Sequence, residues 1–201
     1  VIIAFCFPLM SQTVSKTGTT AAQFLKIGIG ARALGMGGAY SAVSNDVTAL
    51  YWNPAGLSSS KKNGIILDHQ DWIMDVDLDF IGGCYKTPFG TIGAAISAMH
   101  MGEMEVTTTR DPEGTGEKFS AGSMMGQLTF SRSLTDRFSF GLTAKVIRVS
   151  IYNSKAIGFA LDLGTLYSTQ ISGLTMGMSI SNYGTKMQME GRDLLLQTEV
   201  D

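Results

Sequence analysis

Charge is scarce in this chain: Asp, Glu, Lys and Arg make up 16% of its 201 residues, against about 25% in ordinary soluble domains. The 15 basic residues are scattered and the pI is near 5.7. A nucleic-acid binder held by phosphate contacts is therefore excluded. The two cysteines, Cys6 and Cys84, form no metal or redox spacing, so disulfides do not hold the fold. The two histidines, His69 and His100, share no ligand spacing with each other or with a carboxylate pair. Serines are plentiful, but no G-x-S-x-G elbow accompanies them and no nucleophile–base set can be assembled. No enzyme activity, cofactor or metal site is expected. Beyond Met10 no window approaches the roughly 18 consecutive apolar residues of a membrane helix.

Hydrophobic residues are abundant at 44%, which excludes intrinsic disorder, and glycine is frequent with 24 residues. The ends differ from the body. Val1 to Met10 is almost wholly apolar and stops at Ser11-Gln12-Thr13, the size and polar exit of a secretory h-region cut after Ser11. A buried first strand is the competing reading. Phe5 before Cys6 is too bulky for a lipoprotein cleavage site. Glu190 to Asp201 is polar and reads as the start of a loop, so both ends are expected to be truncated.

From about Asp77 the pattern becomes period two. Phe138, Phe140, Leu142, Ala144 and Val146 alternate with Ser139, Gly141, Thr143 and Lys145. Phe159, Leu161 and Leu163 oppose Gly158, Ala160, Asp162 and Gly164, and Leu174, Met176, Met178 and Ile180 oppose Thr175, Gly177, Ser179 and Ser181. The same alternation runs through Ile92 to Ala98 and through Gln127 to Phe130. One face is bulky and the other small or polar. A soluble sandwich needs the bulky face inside; a membrane barrel turns it to lipid. Tight turns at Thr87–Gly90, Leu134–Arg137 and Gln170–Gly173 contrast with the long polar loop Met101–Lys118, the turn asymmetry of outer-membrane barrels. The fold class is therefore all-β, an antiparallel transmembrane barrel with about seven or eight strands present, with a soluble antiparallel β protein as the alternative. Asp75, Asp77 and Asp79 read as the aqueous face of a strand near the rim, because Phe80 and Ile81 replace the Gly turn of a calcium loop. Trp52, Trp72, Tyr85, Tyr152, Tyr167 and Tyr183 are expected at membrane interfaces.

The stretch Thr17–Leu57 is Gly/Ala-rich and has too little side-chain surface for a core of its own. Gly28-Ile29-Gly30-Ala31-Arg32-Ala33 matches the loose dinucleotide pattern, but Gly35, Gly37 and Gly38 argue against the helix that pattern requires. Asn45-Asp46 reads as a helix N-cap and Asn53-Pro54 as the end of that short helix.

The runs Ala22–Gly28, Gly30–Tyr40 and Asn45-Asp46 with Leu50–Leu57 resemble the start of PorV/PorQ-type outer-membrane proteins, relatives of the FadL-like barrels. The resemblance implies an N-terminal hatch inside a barrel of about fourteen strands, roughly twice the number present. It assigns Asn53, Pro54, Ala55 and Gly56 to the hatch motif. Gly28 and Gly30 count among the hatch glycines, and Gly35, Gly37 and Gly38 would let the backbone lie close to the wall. The implied organisation is a residual signal peptide over 1–11, a hatch over 12–60 and an incomplete barrel over 61–201. The implied role is in type IX secretion: an outer-membrane protein, in contact with lipid, that binds cargo and presents it to the translocon or attachment machinery. A FadL-like channel for hydrophobic ligands is the alternative, and a soluble periplasmic β protein a second.

Overall fold

The computed structural model describes residues 21–60, 62–171 and 173–191. The expected signal peptide, with Cys6, and most of the polar C-terminal stretch lie outside these residues. After a 3-10 turn over Gln23–Lys26 come three short helices: α1 (Ala31–Gly35), α2 (Ala49–Trp52) and α3 (Gly56–Ser59). α1 corrects the expectation that glycines would prevent a helix after Gly30. The glycines end it instead: Gly37 and Gly38 take φ of 64° and 78°, and the Gly38 N–H returns to the Ala33 carbonyl at 3.0 Å. A 3-10 turn rather than a strand precedes Gly28, so the dinucleotide context is missing. Asn45-Asp46 is not the N-cap of α2: Asp46 Oδ1 accepts the Thr48 N–H at 2.9 Å in the turn before the helix, whose N-cap, Thr48, makes no side-chain capping bond. Asn53 becomes extended ahead of Pro54 and stops α2.

Seven long strands follow: β1 (Gly64–Asp71), β2 (Val76–Thr87), β3 (Gly90–Met101), β6 (Ala121–Ser133), β7 (Phe138–Ile151), β8 (Ser154–Ser168) and β9 (Thr175–Gly184). Between β3 and β6 a two-residue pair, β4 (Met104–Glu105) and β5 (Lys118–Phe119), makes a small hairpin inside the segment read as a plain loop. Glu190–Gly191, also read as loop, adds the short strand β10 on the Ser154–Lys155 end of β8. Each long strand pairs antiparallel with its neighbour in chain order, giving the path β1-β2-β3-β6-β7-β8 with β9 beyond. The regular pattern begins at Gly64 rather than Asp77. β1 lies inside the expected barrel span of 61–201, but its alternation was hidden because its inward residues include Asp68 and Gln70, which hydrogen-bond the N-terminal segment instead of packing as apolar side chains.

The faces divide as the alternation predicts. On β8, Ala156, Gly158, Ala160, Asp162 and Gly164 are buried, while Ile157, Phe159, Leu161 and Leu163 are exposed. β3, β6 and β7 repeat this arrangement. The small face is covered by the N-terminal segment: Phe24, Leu25, Ile29, Leu50 and Leu57 share one core with Leu78, Phe80, Met125 and Ile147 of the sheet. Five neighbouring strands laid flat would span about 19 Å. Yet the short stretch from Leu50 to Leu57 reaches Gly82 of β2, Gln127 of β6, Gly141 of β7 and Gly164 of β8. The segment therefore lies across five neighbouring strands of the sheet. The sheet does not close among the described residues, since β1 and β9 do not pair, so the expected closed barrel is observed only as an open sheet. No helix among the described residues is long and apolar enough to cross a membrane.

Candidate functional site

A cluster of hydrogen bonds joins Asn53-Pro54-Ala55-Gly56 to the sheet. Asn53 is fully buried. Its Nδ2 donates to the carbonyls of Ser41 at 2.8 Å and Thr165 at 3.1 Å, and its Oδ1 accepts the Ala55 N–H at 3.1 Å. One side chain thus ties two parts of the segment to β8. Ser131 on β6 donates to the Ala55 carbonyl at 3.1 Å and accepts the Ser58 N–H at 3.2 Å. Gln127 donates to the Leu50 carbonyl at 2.9 Å.

Close approach to the wall falls on different glycines from those expected. A Cβ at Gly35 or Gly37 would meet nothing within 4 Å, and one at Gly38 would touch only the Trp52 ring at 3.4 Å. Those three therefore shape the loop rather than admit the wall. The contacting glycines belong to the sheet. A Cβ on Gly141 would run into the backbone of Pro54 and Ala55, one on Gly164 would sit 2.7 Å from Pro54 Cδ, and one on Gly93 would sit 2.6 Å from Leu50 Cδ2. Their signal in the sequence was the small residue at every second position. What it could not give was the neighbour each one admits. Within the motif, Gly56 is needed against the carbonyl and hydroxyl of Ser44. Gly28 accepts from Gln70 at 2.9 Å through its carbonyl, and a Cβ there would reach Leu34 Cδ2 at 2.9 Å; the Gly30 N–H donates to Asp68 at 2.7 Å. Trp52 was expected at a membrane interface. Instead its Nε1 donates to the Ile29 carbonyl at 3.0 Å and its ring packs edge-on against Tyr40 and Tyr51.

Below this contact the wall carries a buried ion pair. Lys145 Nζ of β7 lies 2.6 Å from Asp162 Oδ2 of β8, and both side chains are almost fully buried. Lys145 also donates to Asn182 Oδ1 at 2.8 Å, and Asp162 Oδ1 accepts the Asn182 N–H at 2.7 Å. Asn182 reaches this position through a register shift opposite Leu161 and Leu163, with its own φ at 59°. Tyr51, in α2 above the pair, donates to the Leu25 carbonyl at 3.0 Å. Burial, with the negative charge of Asp162 second, pushes its phenol up to about 12, so it stays a donor throughout the physiological range. Tyr51→Phe removes that single bond and is expected to cost about 1 kcal/mol, measured as a shift in the denaturation midpoint. A midpoint equal to wild type would show that the bond adds nothing.

A second grouping lies at the long-loop end of the outward face. Asp77 and Asp79 alternate on β2 as expected, while Asp75 sits in the β1–β2 turn at φ 53°. The pairing places His69 opposite Asp79, Asp71 opposite Asp77, and His100 opposite Asp77. The linear spacing that separated the histidines from any carboxylate pair is thereby corrected: strand register, not sequence distance, brings them together.

These arrangements join a sheet that is bulky outside, a segment held against its inner face, and a motif that anchors the segment. The model of the family described as type IX secretion system protein PorV matches residues 10–193. No curated protein matches the chain.

Proposed function

The chain belongs to the PorV family of type IX secretion system proteins, and we propose that it works there as the wall of an outer-membrane β-barrel. Residues 12–60 form the hatch inside it, 61–201 contribute to the barrel, and the whole binds secretion cargo and presents it to the translocon or attachment machinery. The observation that carries the reading is the outward apolar band. On β8 it runs from Ile157 through Phe159, Leu161 and Leu163 to Tyr167, about 33 Å along the strand and about 25 Å along a barrel axis at ordinary tilt. Asp77, Asp79, His100 and Lys155 bound the band at the long-loop end of the same face. In a soluble sandwich these bulky rows would have to meet one another, and here they are exposed.

Leu161→Arg places a charge in the middle of that band. It is expected to cost about 2–4 kcal/mol of stability in the bilayer, whereas at a water-facing position it would change stability by less than about 0.5 kcal/mol. Urea unfolding of the full-length protein in lipid vesicles distinguishes the two, and a neutral outcome would contradict the membrane assignment.

Cargo contact is assigned to the exposed loop at 102–117, which projects from the long-loop end. Full-length protein in detergent should capture the C-terminal signal domain of a cargo protein, and deletion of 107–114 should abolish capture. Failure of the intact protein to capture it, or undiminished capture by the deletion, would overturn this role.

A second reading, the FadL-like channel for hydrophobic small molecules, is favoured by a cavity of about 510 Å³ beside the Gln23–Lys26 turn. Phe24, Ile27, Met74, Met99, Met101 and Met104 line it, flexible apolar side chains of the sort that adapt to varied ligands. Uptake of a fluorescent fatty acid by cells carrying the protein, blocked by Met99→Glu, would support the channel over the cargo role.

A further inference from the structure

The turn between β1 and β2, at the long-loop end, carries three large apolar side chains in a row: Trp72, Ile73 and Met74, the last two 72% and 89% exposed. They stand beyond Asp71 and Asp77, the paired carboxylates at the strand ends, and so outside the outward apolar band. Met74 and Asp75 both take the left-handed conformation, with φ of 61° and 53°, which is unfavourable for any residue with a Cβ. The Trp72 N–H closes the turn on the Val76 carbonyl at 2.7 Å. Together with Met101 and Met104, the three apolar residues line the cavity of about 510 Å³ beside the Gln23–Lys26 turn. We propose that this groove docks a protein segment presenting a bulky apolar side chain next to Lys or Arg. The proposal rests on the reading of the long-loop end as the face that meets secretion cargo.

Three observations select that occupant. The first is charge. The charged residues lining the groove, Asp75 and Glu103, are both acidic. Asp75 has no hydrogen bond or ion pair among the described residues. Glu103 meets Lys118 at 3.1 Å in an exposed pair, a kind that contributes little and leaves the carboxylate open to a partner's cation. Such a rim attracts an ammonium or guanidinium group and repels a fatty-acid carboxylate or a lipid phosphate. The second is the lining. Methionines are unbranched and polarizable, so they repack around apolar side chains of different shape. An apolar centre with a charged, water-exposed edge is the make-up of a protein interface. The third is strain. Glycine or asparagine would take positive φ at little cost, yet Met and Asp hold these places, and Met74 is too exposed for packing within the chain to fix it there. Strain at a side chain the fold does not use points to a contact with another molecule.

The test is fluorescence anisotropy of labelled short peptides added to the full-length protein in phosphatidylcholine nanodiscs. One set carries a central Leu, Phe or Met flanked by lysines, and a matched set replaces the lysines by glutamates. Saturable binding of the lysine set is expected, with the glutamate set more than about 10-fold weaker. Met74→Gly removes the apolar side chain and relieves the turn, so peptide affinity should fall more than about 10-fold while the urea midpoint stays equal to wild type or rises. That combination separates a docking role from a structural one. Asp75→Lys reverses the charge and should weaken the lysine set by a similar factor. Phe89→Ser, at an exposed apolar residue in the turn between β2 and β3 at the opposite end, should change little. Circular dichroism confirms that each variant is folded. The proposal is overturned if the lysine set does not bind, if Met74→Gly or Asp75→Lys binds it as well as wild type, or if Phe89→Ser loses as much. Displacement of the peptides by oleate would overturn it in favour of a hydrophobic small molecule. A protein that binds the peptides through Met74 and Asp75 but captures no cargo signal domain upholds the groove and removes the cargo role, so the two readings fail separately.

Discussion

Replacing Asn53 by alanine will detach the N-terminal segment from the sheet. The side chain makes three hydrogen bonds in a site without solvent, and alanine leaves the Ser41 and Thr165 carbonyls and the Ala55 N–H facing an empty pocket. Each group left unpaired costs about 1–3 kcal/mol. With partial relaxation, the loss is about 3–5 kcal/mol, enough to undo a docking that rests on one core. Limited proteolysis of the full-length protein measures it directly: cleavage between residues 21 and 60 should accelerate by two orders of magnitude or more. Gly164→Val approaches the same contact from the wall, where the added Cβ would collide with the Asn53 side chain and the Pro54 ring, and should give the same cleavage pattern. If Asn53→Ala remains as resistant as wild type, the motif does not anchor the segment.

A comparable effect is expected from Lys145→Met. The ammonium is the counter-charge of a carboxylate that has almost no exposure, and methionine fills the space while leaving Asp162 charged and buried. Breaking a buried pair from one side costs about 3–5 kcal/mol, whereas removing both charges is often close to neutral. Lys145→Met should therefore lower stability by that amount, and adding Asp162→Asn should restore most of it, because an amide oxygen can still accept the Asn182 N–H. Urea unfolding of the single and double variants checks both halves. A single variant within 1 kcal/mol of wild type would mean that water reaches the pair. Since Asn182 joins both charges across β7, β8 and β9, the pair also sets the shifted register of β9. The single variant should raise hydrogen exchange along Thr175–Gly184 before the rest of the sheet.

Much of the wall was legible because a strand repeats every two residues and the bulky residues keep to one face along Ile92–Ala98, Phe138–Val146 and Ile157–Leu163. The turns at Thr87–Gly90 and Leu134–Arg137 were legible for the same reason, being the points where that repeat stops. The alternation within β1 was not, since Asp68 and Gln70 occupy inward positions that a core would fill with apolar residues, and their partners lie about forty positions earlier. The anchoring role of Asn53 rests on a bond to Thr165, a separation no local pattern encodes. Gly35, Gly37 and Gly38 show the opposite failure. Their abundance suggested close packing, but the φ values of Gly37 and Gly38 reveal a helix stop, and Gly35 simply ends α1 in open space. The His69 grouping needed the pairing of β1 with β2, because antiparallel register is fixed by the turn and by burial rather than by spacing within one strand.

The central claim is that the bulky face meets lipid. Single cysteines at positions 156 to 161 of β8, in a cysteine-free full-length protein reconstituted into vesicles, can each carry a small fluorophore, and brominated lipid reports contact by quenching. The account predicts strong quenching from Ile157→Cys, Phe159→Cys and Leu161→Cys and weak quenching from Ala156→Cys, Gly158→Cys and Ala160→Cys, a period of two along the strand. Uniformly weak quenching, or a protein recovered without membrane at all, would contradict it.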